Sequence, residues 1–274
     1  MEIPKSDFRK MQLIMLEMLI EFDRICNENN IVYSLDGGTL LGAIRHKGFI
    51  PWDPDIDVIM HRSEYERFRD ACKVDLDTRR FFLQDHTLDP YYRWGYARLR
   101  RKGTEFVRTG HEHMKYKRGI FIDIMLVDNV PDNPVMRPIH RFLCFCIRKI
   151  LWSEAGKVLH TKWYMRLWYR LLSIIPTEWV FGFRDWIAGI YNARDTELIR
   201  RMTGVYPKRC KYGTPKCFYN KRVKVEFEGR MFWAFEQYDE YLRLVYGDYM
   251  QLPPPEKRVP HIPCSRYKLI EPEL

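Results

Sequence analysis

Asp55 and Asp57 stand two residues apart in the run Asp53-Pro54-Asp55-Ile56-Asp57-Val58-Ile59-Met60. If Asp55 to Met60 runs as a strand, alternation puts both carboxylates on one face and Ile56 and Val58 on the other. Two acids side by side require a cation between them. Upstream, Gly37-Gly38 precedes a helical pattern from Thr39 to His46, and bare N–H groups at a helix N-terminus attract anions. A metal site beside a phosphate cradle is the chemistry of phosphoryl or nucleotidyl transfer. Taken singly, an acid pair reads as a solvated turn and a Gly pair as a bend. Their order here is a strand from Ile31 to Leu35, a Gly turn, a helix and an acidic strand. A nucleotidyltransferase-type fold uses that order to seat a nucleotide on Mg²⁺, with Mn²⁺ as the alternative ion. Asp123 adds a third acid, on the face opposite Ile122 and Ile124 in the strand-like run from Gly119 to Leu126. Its partner is either a buried Arg or backbone donor, or a metal shared with Asp55 and Asp57.

The run from Leu35 through Asp36-Gly37-Gly38-Thr39-Leu40-Leu41-Gly42 to Pro51-Trp52-Asp53-Pro54-Asp55-Ile56-Asp57 resembles the signature of the LicD family of phosphocholine transferases. Phe121-Ile122-Asp123-Ile124 with Val130-Pro131-Asp132, and Tyr246-Gly247-Asp248-Tyr249-Met250 with Leu252-Pro253-Pro254 and Lys257-Arg258, resemble it as well. The resemblance implies a nucleotidyltransferase-like fold and Mg²⁺-dependent transfer of a phospho-alcohol, phosphocholine first, from a CDP-linked donor. The acceptor would be a hydroxyl of a cell-surface glycan or its lipid-linked precursor, and CMP would be released. On that basis Asp55, Asp57 and Asp123 are the catalytic and metal-binding residues, with Asp123 either a ligand or the base for the acceptor hydroxyl. Gly37, Gly38, Thr39, Arg45, Lys47, Lys257 and Arg258 would bind the donor phosphates; solvated charge is the plain alternative for Lys257, Arg258 and His261. Pro54 replaces a further acid of the family pattern, Met125-Leu126 stands where Phe-Pro is usual, and Ala234-Phe235 replaces a usual Pro. These departures bear on donor and acceptor identity, not on the metal site. Two rivals are a nucleotidyltransferase releasing pyrophosphate and a non-enzymatic membrane-glycan scaffold.

A chain of 274 residues with 46% hydrophobic content can bury a large core, and its net charge of +10 suits an anionic partner. No zinc-finger spacing, basic helix or RNA-binding consensus points to nucleic acid. The seven cysteines are odd in number and scattered, which reads as buried thiols in a reducing compartment. Cys210, Cys217, His261 and Cys264 could be drawn together as a zinc site, but the first pair is spaced too widely for a knuckle, and His111-Glu112-His113 reads as a solvated loop. The polar start from Met1 to Asp7 shows no export signal, so a cytoplasmic location is expected.

The expected fold class is α+β: a nucleotidyltransferase-like mixed sheet with flanking helices and a helical insertion. Residues 1–133 would form the catalytic core, 134–193 a basic, aromatic-rich helical insertion, and 194–274 a segment returning to the core. Phe8, Met11, Met15, Met18, Leu19 and Phe22 recur at helical spacing in a first helix from Asp7 to about Asn27, with Gln12 and Glu17 on its polar side. A helix capped by Ser63 should run to Cys72, and strands should cover Phe81 to Gln84 and Tyr96 to Arg100. Glu228-Gly229 reads as a hairpin turn, and a helix from Tyr238 to Tyr246 follows. Between Pro134 and Ala193, Trp152, Trp163, Trp168, Trp179 and Trp186 are mixed with basic residues. No apolar run there approaches the roughly 20 residues that span a bilayer. The pattern fits either peripheral contact with an anionic membrane surface or helices packed on the catalytic sheet.

Overall fold

The computed structural model describes residues 3–260 and 264–274; His261 lies outside them. The chain opens with α1 (Lys5–Glu28), β1 (Ser34–Leu35), α2 (Gly37–His46), β2 (Asp57–His61), α3 (Arg62–Asp75), β3 (Phe81–Gln84), β4 (Ala97–Arg101), β5 (Glu105–Arg108) and β6 (Phe121–Asn129). Three helices follow, α4 (Met136–Leu159), α5 (Trp163–Leu172) and α6 (Thr177–Asn192), and then β7 (Leu198–Arg200) and β8 (Thr214–Pro215). The chain ends with β9 (Arg222–Phe227), β10 (Arg230–Phe235), α7 (Tyr238–Tyr246) and β11 (Cys264–Lys268).

The main sheet runs β1-β2-β6-β4-β3, with β2 and β6 parallel and the other neighbours antiparallel. β7 and β8 extend it from Asp128 and Asn129 at the far end of β6. Helices flank this mixed sheet, so the class is α+β. A parallel pair needs a long crossover, and the segment from α3 through β5 supplies it. The apolar stripe of α1 is buried as its spacing predicts, from Phe8 through Met11, Met15, Met18 and Leu19 to Phe22. Glu17 departs from expectation. It is buried and pairs with Arg80 at 2.6 Å and Arg101 at 3.0 Å, so the acid sits in a cationic pocket rather than in water.

Four local boundaries differ from the sequence expectation for identifiable reasons. β1 is confined to Ser34–Leu35, because the Ile31 N–H bonds back to the Cys26 carbonyl at 2.8 Å and the Val32 N–H to Glu64 at 2.7 Å. Those donors are satisfied by a helix end and a side chain, so no ladder is needed. The Gly pair lies inside α2 rather than before it, and Gly37 takes a φ of +53°, which glycine adopts without strain. β2 starts at Asp57, not Asp55, because Pro54 brings no N–H and the chain is still entering the sheet. Ser63 is the second residue of α3 and not its cap; His61 precedes the helix with no side-chain capping bond.

The C-terminal hairpin forms as expected, with Glu228 and Gly229 both at positive φ, the geometry of a tight two-residue turn. Glu228 fixes more than the turn. Its carboxylate accepts the Phe49 N–H at 3.0 Å and pairs with Arg9, while its own N–H donates to the Lys47 carbonyl. The segment leading into the acidic run is thereby clamped to the hairpin. All seven cysteines are free thiols; Cys217 is exposed and Cys146 half-buried, so burial is not uniform. His111 is buried against Trp94 with its Nδ1 3.3 Å from the Tyr116 hydroxyl, which corrects the expectation of a solvated loop.

Candidate active site

β2 and β6 are paired in register so that Asp57 lies opposite Asp123, and β4 places Arg98 opposite Asp123 on the other side. Asp57, Asp123 and Arg98 therefore share one face of the sheet. Arg98 Nε donates to Asp123 Oδ1 at 2.6 Å, in a pair almost wholly removed from water. Burial opposes the guanidinium charge, yet the adjoining Asp123 raises the Arg98 pKa well above its ordinary value. Trp94, Tyr96 and Phe121 surround the guanidinium, with the Phe121 ring centre 3.7 Å away. The observed partner of Asp123 is thus a buried arginine.

Asp55 precedes β2 and is hydrogen-bonded to Asp53. Burial, and then the charge of Asp123, push the Asp55 carboxyl up. Asp57 is pushed up further by burial and by Asp55, Asp123 and Asp36. Asp53 rises to about 8 through burial and the Asp55 charge. Like charges gathered out of water must be protonated or neutralised by a cation. Among the described residues, no three Asp, Glu, His or Cys side chains are already set to coordinate one ion together. The site still fits a divalent cation, because Asp57 Oδ1 is buried with no hydrogen-bond partner and is a hard oxygen donor. Arg108 balances the cluster from β5: it favours the ionised form of Asp55, and its own Nε is buried without a partner.

The N-terminus of α2 meets this cluster. Gly37 and Gly38 are its first residues, so their N–H groups have no partner within the helix. A Cβ on Gly37 would stand 3.3 Å from Asp57 Oδ2 and 3.7 Å from the Tyr246 hydroxyl, and one on Gly38 would overlap Asp53 Oδ2. Only glycine admits the acids so close. The Thr39 hydroxyl accepts the Asp57 N–H at 2.9 Å and locks helix to strand. Asp36, fully buried, takes hydrogen bonds from the Tyr241 hydroxyl and from Arg201 at 3.3 Å.

Arg45 and Lys47 are not at the N-terminus of α2 with the glycines. They lie at its C-terminal end, about 12–15 Å from Gly37 at 1.5 Å per residue. Arg45 donates to the Tyr249 carbonyl at 2.7 Å and feels the charge of Arg258, so those two cations are neighbours. Lys47 and Lys257 are exposed. Arg98, Arg108, Arg201 and Tyr246 reach the acids instead, and sequence reasoning gave none of them a role. The available signal was Arg98 and Arg100 alternating with Ala97 and Leu99 in the strand.

A family described as LicD/FKTN/FKRP, nucleotidyltransferase domain, matches residues 30–136, which contain all the acids of this cluster. The lipopolysaccharide cholinephosphotransferase LicD of Haemophilus influenzae is 34% identical over 265 residues, covering 94% of this chain and 96% of that protein. The chain belongs to the LicD family. Uncharacterized proteins of Rickettsia prowazekii and Rickettsia typhi are each 43% identical over 56 residues, about 20% of this chain. Family membership agrees with the α+β fold and with the acids grouped at the mouth of α2.

Proposed function

We propose that this chain is a phosphotransferase that moves phosphocholine from CDP-choline to a hydroxyl of a lipopolysaccharide glycan, releasing CMP. The observation that carries the activity is the similarity, over 94% of the chain, to the Haemophilus cholinephosphotransferase. The geometry supports it through an acid cluster facing the N-terminus of a helix. Asp55 and Asp57 would hold Mg²⁺, which when bound supplies charge neutralisation at the donor diphosphate. The Gly37 and Gly38 amides orient the transferred phosphate, and Arg201 and Tyr246 border the same space. Asp123, held in place by Arg98 through Oδ1, would take the proton of the acceptor hydroxyl. The acceptor oxygen forms its bond to phosphorus, the bond to CMP breaks, and the proton passes to Asp123.

We further assign the protein to the cytoplasmic surface of a membrane, without a span. Among the described residues no helix is long and apolar enough to cross a bilayer. α5 buries only Tyr169 fully and exposes Trp163, Tyr164, Leu167, Trp168 and Leu171 beside Arg166 and Arg170. An apolar face flanked by cations complements an anionic lipid surface. The deciding experiment for the activity is incubation with CDP-choline and lipopolysaccharide, with and without Mg²⁺. CMP release supports the assignment, pyrophosphate from a nucleoside triphosphate would indicate nucleotidyl transfer, and no product from any donor would leave a non-catalytic scaffold.

A further inference from the structure

Away from the acid cluster, α4 and the chain leaving β7 enclose a cavity of about 390 Å³. Arg141, Arg148, Arg200 and Lys211 line it together with Phe145 and Tyr206, and its lining contains no carboxylate. Cations gathered without an acid repel one another unless an anion joins them. Arg200 marks the deep end. It is 4% exposed, spends Nη1 on the Lys211 carbonyl at 3.4 Å, and leaves its buried Nε with no partner. An unsatisfied buried guanidinium nitrogen costs stability, and an oxyanion is the group that satisfies it.

A second cavity, of about 320 Å³, adjoins the first. Arg148 walls both, Thr203 lines the second and its chain neighbour Gly204 lines the first. Lys149, Trp94, Trp152 and Tyr96 line the second cavity, again without a carboxylate. Tyr96 carries the path to the reaction centre, because its hydroxyl accepts from Arg98 Nη2 at 3.2 Å and Arg98 holds Asp123. On the other side, Arg201, the neighbour of Arg200, binds Asp36. Aromatic walls suit the faces of sugar rings, and the cations suit phosphate.

We propose that these two cavities form the acceptor track and that the Arg141–Arg148–Arg200–Lys211 cavity binds a phosphate carried by the acceptor glycan. The transferase activity proposed above supplies the acceptor role, but the anion site is a binding property that can be measured without turnover. The probe is lipid-free, deacylated lipopolysaccharide oligosaccharide, either phosphorylated or stripped of phosphate with hydrofluoric acid, titrated without donor or metal. Wild-type protein should prefer the phosphorylated form. Arg141→Gln/Lys211→Gln, which changes two exposed side chains, should weaken that binding by roughly tenfold or more. Binding of the stripped form, and thermal protection by CDP-choline with Mg²⁺, should not change. Arg200→Lys should give the same loss if it folds, since a lysine cannot replace the buried Nε contact. Equal binding of both forms by the wild type, or wild-type binding by the double variant, overturns the proposal. So does a loss confined to phosphatidylglycerol vesicles, which would make the cavity a lipid-headgroup site. Phosphate-dependent binding without any transfer from CDP-choline would sink the transferase reading and leave this site standing.

Discussion

Asp57 and Asp123 face each other as partners across the parallel pair of β2 and β6, although 66 positions (123 minus 57) separate them in the chain. Arg98 counters Asp123, whereas Asp57 Oδ1 is buried with no hydrogen-bond partner among the described residues. That face of the sheet therefore carries a buried carboxyl without a counter-charge at Asp57, which must be protonated or neutralised by a cation.

Asp57→Asn should lower transfer by about a hundredfold or more, the scale on which removal of a group stabilising transition-state charge is felt. It should not lower the melting temperature, because it removes one of several like charges from a buried cluster. Asp53→Asn keeps a hydrogen-bonding side chain beside Asp55 and should cost less than Asp57→Asn. Assays at limiting Mg²⁺ with parallel thermal melts separate the two effects; a dead Asp53→Asn beside an active Asp57→Asn would contradict the assignment.

Gly38→Ala should disturb the site through Asp53, whose carboxylate occupies the space the methyl group needs. A loss of about 1–3 kcal/mol is expected for such overpacking. Adding Asp53→Gly should recover much of that stability, and a double-mutant cycle measures the coupling. Gly42→Ala meets the Gly48 backbone carbonyl at 2.5 Å and has no comparable rescue.

How much of this was legible beforehand depends on whether the signal was local. The stripe of α1, the Glu228-Gly229 turn and α7 were readable because periodicity and turn chemistry act within a few residues. The bounds of β1 were not, since a carboxylate on α3, Glu64, takes the Val32 N–H that a strand neighbour would have used. Asp55 and Asp57 were visible as a pair, but their counter-charges come from β4, β5 and the chain after β7. Arg98 and Arg201 carry no motif of their own, and only the register of the sheet and the path of the chain bring them to the acids.

Asp128 supplies a pH test distant from the acid cluster. Burial opposes its ionisation, yet Arg62, bonded at 2.6 Å, and Asn192 hold its carboxyl below the usual range. A depressed folded-state pKa stabilises the protein above the unfolded value, near 3.9, and that contribution fades as pH falls through the folded value. Wild-type stability should therefore drop on the acid side below about pH 4. Asp128→Asn, which leaves Arg62 without its buried partner, should cost about 3–5 kcal/mol at neutral pH. Urea titrations at several pH values give both quantities, and an unchanged acid limb in the variant would exclude Asp128 as its source.

Sedimentation with anionic vesicles should weaken, without vanishing, as salt rises, because cations are screened while buried aromatic surface is not. Arg166→Gln/Arg170→Gln should remove the salt-sensitive part, and Trp163→Ser/Trp168→Ser the residual part at high salt. A wild-type protein that ignores such vesicles even at low salt would disprove membrane docking by α5.

The hydrogen bond from Tyr241 to Asp36 joins residues 205 positions apart, and Tyr246 closes over Gly37 from the same helix. During synthesis the first acids leave the ribosome long before the tyrosines that meet them exist. At about 5–20 residues per second the interval is on the order of ten seconds or more. Throughout it, the nascent chain carries Asp36 without its tyrosine partner. The site therefore lacks Tyr241 and Tyr246 until α7 has been made and docks.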